Sequence, residues 1–284
     1  MGVSMQPRPD PIATNRLHWE SRVALHAASA EYGLDAYRSD PNHLSDVVLF
    51  DRDRLGDIAG RDVVHLQCHI GTDTLSLARL GARVTGLDFS PSAIEVARSL
   101  SEIARPHVDY VVATVDDAVS ALGGRQFDLV YTGIGALCWL PKITSWATTV
   151  AALLRPEGEL FIREAHPVVW ALDDPRSDGL VALEYPYFET DGVVAEAQVT
   201  YVDHEDALAS PRLVHFNHGL GEIFAALTAA GLTMIDYVEH DTIPWRPLGD
   251  AMVDVGGGEF RLMDRPERLP MSYTLRAVRN GSRD

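Results

Sequence analysis

From residue 61 onward, short apolar runs alternate with longer stretches in which apolar residues recur every three or four positions. The short runs are typical of buried strands, and the longer stretches are typical of helices. This alternation predicts βαβ units with right-handed crossovers, and therefore a parallel sheet covered by helices on both faces. Five strands are predicted in this region, at 62–67, 83–90, 108–114, 127–133 and 158–167.

A helix is predicted before the sheet begins. Trp19, Val23 and Ala27 lie at helical spacing, Asn15 is placed to cap the helix, and Gly33 is placed to end it. Because this helix precedes the sheet, we expect it to fold over the sheet as a lid.

The periodicity divides the chain into two parts. Residues 1–45 are predicted to form a leader and the helical lid, and residues 46–284 the main domain. Within that domain, the segment 167–218 is predicted to be rich in strands. Two further strands, at 232–240 and 270–280, are predicted near the end, and the glycine run "VGGGEF" between them is predicted to be a flexible loop.

Charge and composition exclude several classes of function. The formal net charge is -17 at pH 7, so the broad grip on phosphates that nucleic-acid binding needs is not expected. Lys142 is the only lysine, which excludes a P-loop and leaves little scope for Schiff-base chemistry. No apolar run reaches the length of a membrane span, and Cys68 and Cys138 are predicted to be buried, reduced thiols. We therefore expect a cytoplasmic protein.

The turn after the first strand is a candidate ligand site, because ligands of open parallel sheets bind beyond the carboxyl ends of the strands. Gly71 can let a ligand approach the backbone, and the helix that begins at Thr72 and Asp73 offers free N–H groups to an anion. Asp88 ends the next strand at the spacing of an acid that binds a ribose diol. The alternative for Asp88 is a helix cap.

Several motifs resemble those of class I S-adenosylmethionine-dependent methyltransferases. The run "VVHLQCHIGTDTLSLARLGARVTGLDFS" resembles the first two motifs of that superfamily, and "QFDLVYTGIGALCWLP" and "VVAALLRPEGELFIREAHP" resemble its fourth and fifth strands. The closing strands around "RLPMSYTLRAV" resemble its final antiparallel pair. The resemblance implies a Rossmann-like α/β fold with a seven-stranded, mostly parallel sheet and an antiparallel last strand. It also implies an enzyme that moves a methyl group from S-adenosylmethionine to an oxygen or nitrogen of a small molecule.

The first turn departs from the pattern that this resemblance leads one to expect. His65 stands where an acid is usual, and Gln67 and His69 stand where glycines are usual. Such replacements are tolerated if both positions have ordinary negative φ. We therefore expect negative φ at Gln67 and His69, with both side chains donating hydrogen bonds to the methionine carboxylate of the cofactor.

The resemblance also implies contacts for the rest of the cofactor. The acid that usually meets the adenine amino group falls at Thr114, so Asp116, Asp117 or the backbone of Val115 must serve instead. Trp19 of the lid is predicted to lie near the sulfonium or the methionine end. Three other residues have packing as an alternative role; Phe89 is predicted along the adenine or ribose, and Gly133 and Ile134 beside the methionine chain.

Histidines after the fifth strand are candidates for a general base. His166 follows the strand directly, and His215 and His218 lie just before the next helix. We favour His166, with His218 as the alternate, because imidazole titrates close to neutral pH. The alternatives are structural histidines or a metal site, but no carboxylate stands at a recognised metal-ligand spacing, and we predict none.

Two other functions remain open. One is an inactive binding or regulatory relative of the fold, and the other is an NAD(P)-dependent oxidoreductase, which the crowded turn disfavours. The resemblance also implies that segment 167–218 is an insertion after the fifth strand, which forms the substrate wall together with the N-terminal helices. This insertion is rich in aromatic residues, which suits a flat or apolar acceptor but equally suits a hydrophobic core. We expect a monomer or a homodimer.

Overall fold

The computed structural model describes residues 9–188, 191–202 and 208–281. The strands are β1 (Asp62–Leu66), β2 (Arg83–Asp88), β3 (Asp109–Val112), β4 (Phe127–Thr132), β5 (Leu154–Ala165), β6 (Val193–Glu196), β7 (Arg212–His215), β8 (Leu232–His240), β9 (Met252–Gly256), β10 (Glu259–Leu262) and β11 (Ser272–Arg279). The main sheet has seven strands in the order β3-β2-β1-β4-β5-β11-β8. Strands β1 to β5 pair in parallel, and β11 is antiparallel to both neighbours. The predicted fold class is confirmed.

Helices cover both faces of this sheet. They are α1 (Pro11–Glu20), α2 (Val23–Ala28), α3 (Leu34–Ser39), α4 (Asp46–Leu55), α5 (Thr72–Arg79), α6 (Pro91–Ala104), α7 (Ala118–Ala121), α8 (Ile143–Leu153), α9 (Pro167–Trp170) and α10 (Leu220–Ala229). The core on one face joins the sheet to α3, α4, α5 and α6, and the core on the other joins it to α7, α8 and α10. Both faces are buried, as the apolar strands require. Within the described residues, no helix is long and apolar enough to cross a membrane.

The N-terminal helix differs from its prediction. The chain forms two helices, α1 and α2, and the side chain of Asp10 caps the first by accepting hydrogen bonds from the N–H groups of Ile12 and Ala13. Asn15 is therefore not the cap; it is fully buried inside α1 and bonds both backbone groups of Val214. Gly33 has a φ of 53° and precedes α3, whereas α2 already ends at Ala28.

The inserted segment contributes one antiparallel strand pair, β6 with β7. The run "LVALEYPYFET" at 180–190 also predicts a strand; its last two residues lie outside the described residues, and its described part makes one isolated bridge, between Leu172 and Leu183. The predicted flexible glycine loop is instead the turn of the β9–β10 hairpin. Its three glycines have positive φ, which is the conformation that glycine adopts with the least strain.

Candidate active site

A cavity of about 950 Å³, measured to its open mouth, lies at the carboxyl ends of β1, β2 and β4. This is the expected position for a ligand site in an open parallel sheet. Its floor carries many of the residues predicted from sequence, and its roof is mostly aromatic. The floor includes Gln67, His69, Thr72, Asp73, Asp88, Phe89, Val115, Gly133 and Ile134; the roof includes Ile12, Trp19, Tyr32, Trp139 and Tyr201.

The carboxylate of Asp88 is held by backbone donors at the end of β2. One oxygen accepts a hydrogen bond from the N–H of His69 and the other from the N–H of Ser90, both at 2.9 Å. Burial raises the pKa of Asp88 to about 6, although these bonds oppose the shift. Helix α6 is capped by Ser90, whose Oγ accepts from the N–H of Ala93. Asp88 is therefore not the side-chain cap, and its remaining lone pairs can accept hydrogen bonds from a ligand.

The first turn has a left-handed backbone, contrary to the expectation of negative φ. Gln67 has a φ of 58°, His69 of 48° and Gly71 of 81°. Backbone bonds fix this path, because the N–H of Cys68 donates to Leu87 O and that of Gly71 donates to Cys68 O. Left-handed φ costs a residue with a Cβ roughly 1–2 kcal/mol. The turn therefore keeps the path that glycines would follow and carries two strained side chains.

Both strained side chains are bonded to other parts of the protein. The Gln67 amide donates to Ala136 O at 2.9 Å, in the loop after β4. The Nε2 atom of His69 lies 2.8 Å from Nδ1 of His26 in α2. Burial, aided by the charge of Arg22, lowers the pKa of His69 to about 3, so this imidazole is neutral at physiological pH. Their contact with a methionine carboxylate stays a prediction.

Gly71 serves packing and backbone conformation. A Cβ at this position would lie 2.6 Å from the hydroxyl of Tyr110 and 2.7 Å from Cβ of Ala97. Gly71 is not among the residues that line the cavity. The expectation that it admits a ligand is therefore replaced by a contact with β3 and α6. The next two residues, Thr72 and Asp73, do line the cavity.

Of the residues predicted to contact the adenine, Val115 reaches the cavity and Asp116 does not. Phe89, Thr114 and Val115 line one side of the cavity. Asp116 is exposed, and its carboxylate accepts a hydrogen bond from Ser145 at 2.6 Å. Asp116 is therefore removed from the candidate contacts.

The N-terminal helices form the roof together with the insertion. Five side chains bond across this junction, in the pairs Asn15 with Val214, His18 with Ser210, Arg22 with Val199, His26 with Thr200 and Tyr32 with Tyr201. Glu20 also accepts hydrogen bonds from the hydroxyls of Ser90 and Ser92.

Trp19 reaches the cavity, as predicted for a lid. Its ring centroid lies 5.1 Å from that of His69 and 5.2 Å from that of Trp139, with both rings edge-on. Sequence reasoning missed Tyr32 and Trp139, whereas Tyr201 belongs to the aromatic residues of the insertion that were expected to suit the acceptor. Trp139 carried a usable signal, because it follows the fourth strand within the motif "GALCWLP".

The predicted bases lie outside the large cavity. The Nδ1 atom of His166 accepts a hydrogen bond from the N–H of Val168 at the start of α9, and its Nε2 lies 3.1 Å from Glu239. His218 has its Nε2 2.8 Å from Leu140 O, and it lines a separate small cavity beside Glu164. The imidazole of His166 therefore caps α9, the helix that follows the fifth strand.

Comparison with known proteins supports the interpretation of this region. Residues 64–160 match the model of a methyltransferase domain. The chain is 40% identical over 112 residues to a ubiquinone biosynthesis O-methyltransferase of Methylobacterium sp. (strain 4-46), covering 39% of this chain and 44% of the relative. It is 36% identical over 118 residues to the protein of that name from Xanthomonas euvesicatoria pv. vesicatoria (strain 85-10), covering 41% of this chain and 48% of the relative. The chain thus spans about half the length of these relatives.

Solved structures resemble the whole fold. The S-adenosylmethionine dependent methyltransferase of Mesorhizobium loti superimposes with a TM-score of 0.55 at 21% identity, covering 87% of this chain and 100% of that one. The glycopeptide N-methyltransferase MtfA, in complex with S-adenosylmethionine, gives a TM-score of 0.53 at 18% identity, covering 83% and 93%. These structures share the fold of this chain, and the match of residues 64–160 to a methyltransferase domain confirms the resemblance that the motifs indicated.

Proposed function

We propose that this chain is an S-adenosylmethionine-dependent methyltransferase that methylates an oxygen or nitrogen atom of a small molecule. The observation that carries the proposal is the carboxylate of Asp88, held by two backbone N–H groups at the end of β2 and facing a large cavity. An acid in this position suits a ribose diol. The methyltransferase model that matches residues 64–160 supports the same conclusion.

The residues present fit this cofactor. Asp88 can hold the ribose, and Phe89 and Val115 offer apolar surfaces beside it for the adenine. Among the described residues, no lysine or arginine lines the cavity, which suits a cationic ligand. The edge of the roof has Trp19, and aromatic rings attract cations. When bound, the cofactor supplies an activated methyl group on a sulfonium.

The chain itself contributes position and exclusion of water. The roof covers the floor of the cavity, and Trp19, Tyr32 and Trp139 line it from above. Holding a nucleophile in line with a methyl group supplies much of the barrier reduction in such a transfer. Because His166 and His218 lie outside the cavity, we assign catalysis to positioning and not to these two histidines.

The acceptor is proposed to be a small, flat and uncharged or cationic molecule. The names of the relatives refer to O-methylation and that of one solved structure to N-methylation, and the aromatic roof suits a flat ring. Nucleic acid is disfavoured by the net charge of -17. We further propose that the protein acts in the cytoplasm as a monomer or homodimer; its two cysteines are buried and unpaired, as in reducing compartments.

Calorimetric titration tests the proposal against its alternatives. We expect S-adenosylmethionine and S-adenosylhomocysteine to bind, and NAD⁺ and NADP⁺ not to bind. Binding of NAD(P)⁺ alone would support an oxidoreductase. Incubation with methyl-labelled S-adenosylmethionine and the small-molecule fraction of a cell extract then reveals the acceptor by its label. Cofactor binding with no label in any product would favour an inactive relative.

A further inference from the structure

Among the described residues, two acidic side chains line the cavity, and they stand in different surroundings. Asp88 ends β2 next to Phe89, whereas Asp73 lies in the first turn of α5. No lysine or arginine belongs to the described lining. A cationic group of a ligand therefore has Asp73 and Asp88 as its candidate ionic partners.

His65 adds no charge beside Asp73. Burial lowers the pKa of His65 to about 3, so its imidazole is neutral, and its Nδ1 lies 2.9 Å from the hydroxyl of Thr74. A Cβ added to Gly133 would lie 3.6 Å from both His65 Nε2 and Asp73 Oδ2. The tips of these two side chains thus converge beside Gly133 at the end of β4, and Asp73 is the member of the pair that can carry charge.

The carboxylate of Asp73 has little compensation from the protein. Burial raises its pKa, and the nearby hydroxyl of Ser45 and the charge of Arg163 oppose the shift. Arg163 itself makes a bidentate bond to Glu259, at 3.0 and 2.8 Å. Within the described chain, no lysine or arginine forms an ion pair with Asp73 within 4 Å. A cation placed in the cavity would therefore stabilise the ionised carboxylate of Asp73, which desolvation destabilises.

We propose that Asp73 binds the α-ammonium group of the methionine part of S-adenosylmethionine, while Asp88 binds the ribose. The inference rests on the proposed function. With Asp73 in this role, the ammonium group still has an anionic partner although residue 65, where an acid is usual, is a neutral histidine. The role of Asp73 is to bind and orient the amino-acid end of the cofactor.

The test is a titration with three ligands that differ in the group in question. They are S-adenosylhomocysteine, its analogue without the amino group, and 5′-methylthioadenosine, which lacks the amino-acid part. We expect Asp73→Asn to weaken S-adenosylhomocysteine about tenfold or more, since a hydrogen bond between charged groups is lost. It should leave the other two ligands within about twofold. In the variant, S-adenosylhomocysteine and its deaminated analogue should then bind almost equally.

Two comparison variants make the result specific. Asp88→Ala should weaken all three ligands, and Asp53→Asn, which removes the same charge from an exposed position on α4, should weaken none. Retained binding of 5′-methylthioadenosine shows that the Asp73 variant is folded. Equal weakening of all three ligands by Asp73→Asn, or no weakening, would overturn the inference. Failure of the wild-type protein to bind any of them would instead refute the proposed function.

Discussion

The state of Asp88 predicts how ligand affinity depends on pH. Its pKa is raised to about 6 by burial in the free protein. A ribose diol donates two hydrogen bonds to the ionised carboxylate, and a protonated carboxyl loses part of this capacity. Ligand binding therefore favours the ionised form and lowers the pKa of Asp88. Affinity should be constant well above pH 6 and should fall as the pH drops through 6.

The size of the effect follows from proton linkage. At pH 5, one unit below a pKa of about 6, roughly nine in ten molecules carry the proton, so affinity should fall by about tenfold. The neighbouring histidines do not interfere, because burial lowers the pKa of His65 and of His69 to about 3. The suitable ligand is 5′-methylthioadenosine, which has no amino-acid part and so is insensitive to Asp73.

The assay is calorimetric titration of 5′-methylthioadenosine from pH 5 to pH 8, with circular dichroism at each pH to establish that the protein is folded. Asp88→Ala provides the comparison. It should bind more weakly, by well over tenfold at pH 8, since two charge-assisted hydrogen bonds are lost. Its affinity should also be nearly independent of pH. An affinity of the folded wild-type protein that is the same at pH 5 and pH 8 would refute the role of Asp88.

Three further results are expected. Asn15→Ala leaves two buried backbone groups of Val214 without partners, so the free energy of unfolding in urea should fall by about 2 kcal/mol or more. Limited proteolysis should also cut the insertion faster, and an unchanged free energy and cleavage rate would contradict the lid. His166→Ala and His218→Ala should keep the wild-type single-turnover rate between pH 6 and 9. A rate that one of these variants loses only at low pH would support that histidine as the general base. Burial raises the pKa of Asp51 to about 7, above its unfolded value of 3.8, so wild-type stability falls as the pH rises from 4 to 7. Asp51→Asn should therefore gain stability relative to wild type over that window, by at most about 4 kcal/mol, and an equal difference at pH 4 and pH 8 would contradict this.

The sheet and the floor of the cavity were predictable because both depend on local patterns. A parallel sheet puts the carboxyl ends of its strands at one edge, so Asp88, Val115 and Gly133 come together whatever the details of the helices. The same rule misplaced His166. It follows its strand as expected, but its imidazole accepts the N–H of Val168 and so caps α9. The pattern gave no sign of that short helix.

The roof was not predictable in detail, because it depends on contacts between distant segments. Tyr32 meets Tyr201, and Asn15 meets Val214, across more than 160 residues of chain. An asparagine before a helical pattern reads as a cap, since its side chain commonly accepts backbone N–H groups. Here the same capacity serves a backbone segment of the insertion, and Asp10 serves as the cap.

The side chains of Gln67 and His69 stand in a left-handed turn at positions where glycines are usual. Glycine at 67 or 69 would relieve roughly 1–2 kcal/mol of backbone strain, but it would also remove a hydrogen bond worth roughly 0.5–1.5 kcal/mol. The two effects nearly cancel in stability, so strain alone does not select against these side chains. The two side chains differ from glycine in the parts of the protein that they connect. Gln67 ties the turn to Ala136 beyond β4, and His69 ties it to His26 in the lid. The N–H of His69 in the same turn donates to Asp88. The turn is thus bonded to the floor, to the loop after β4 and to the roof, so closure of the roof and the position of the ribose-binding carboxylate depend on each other.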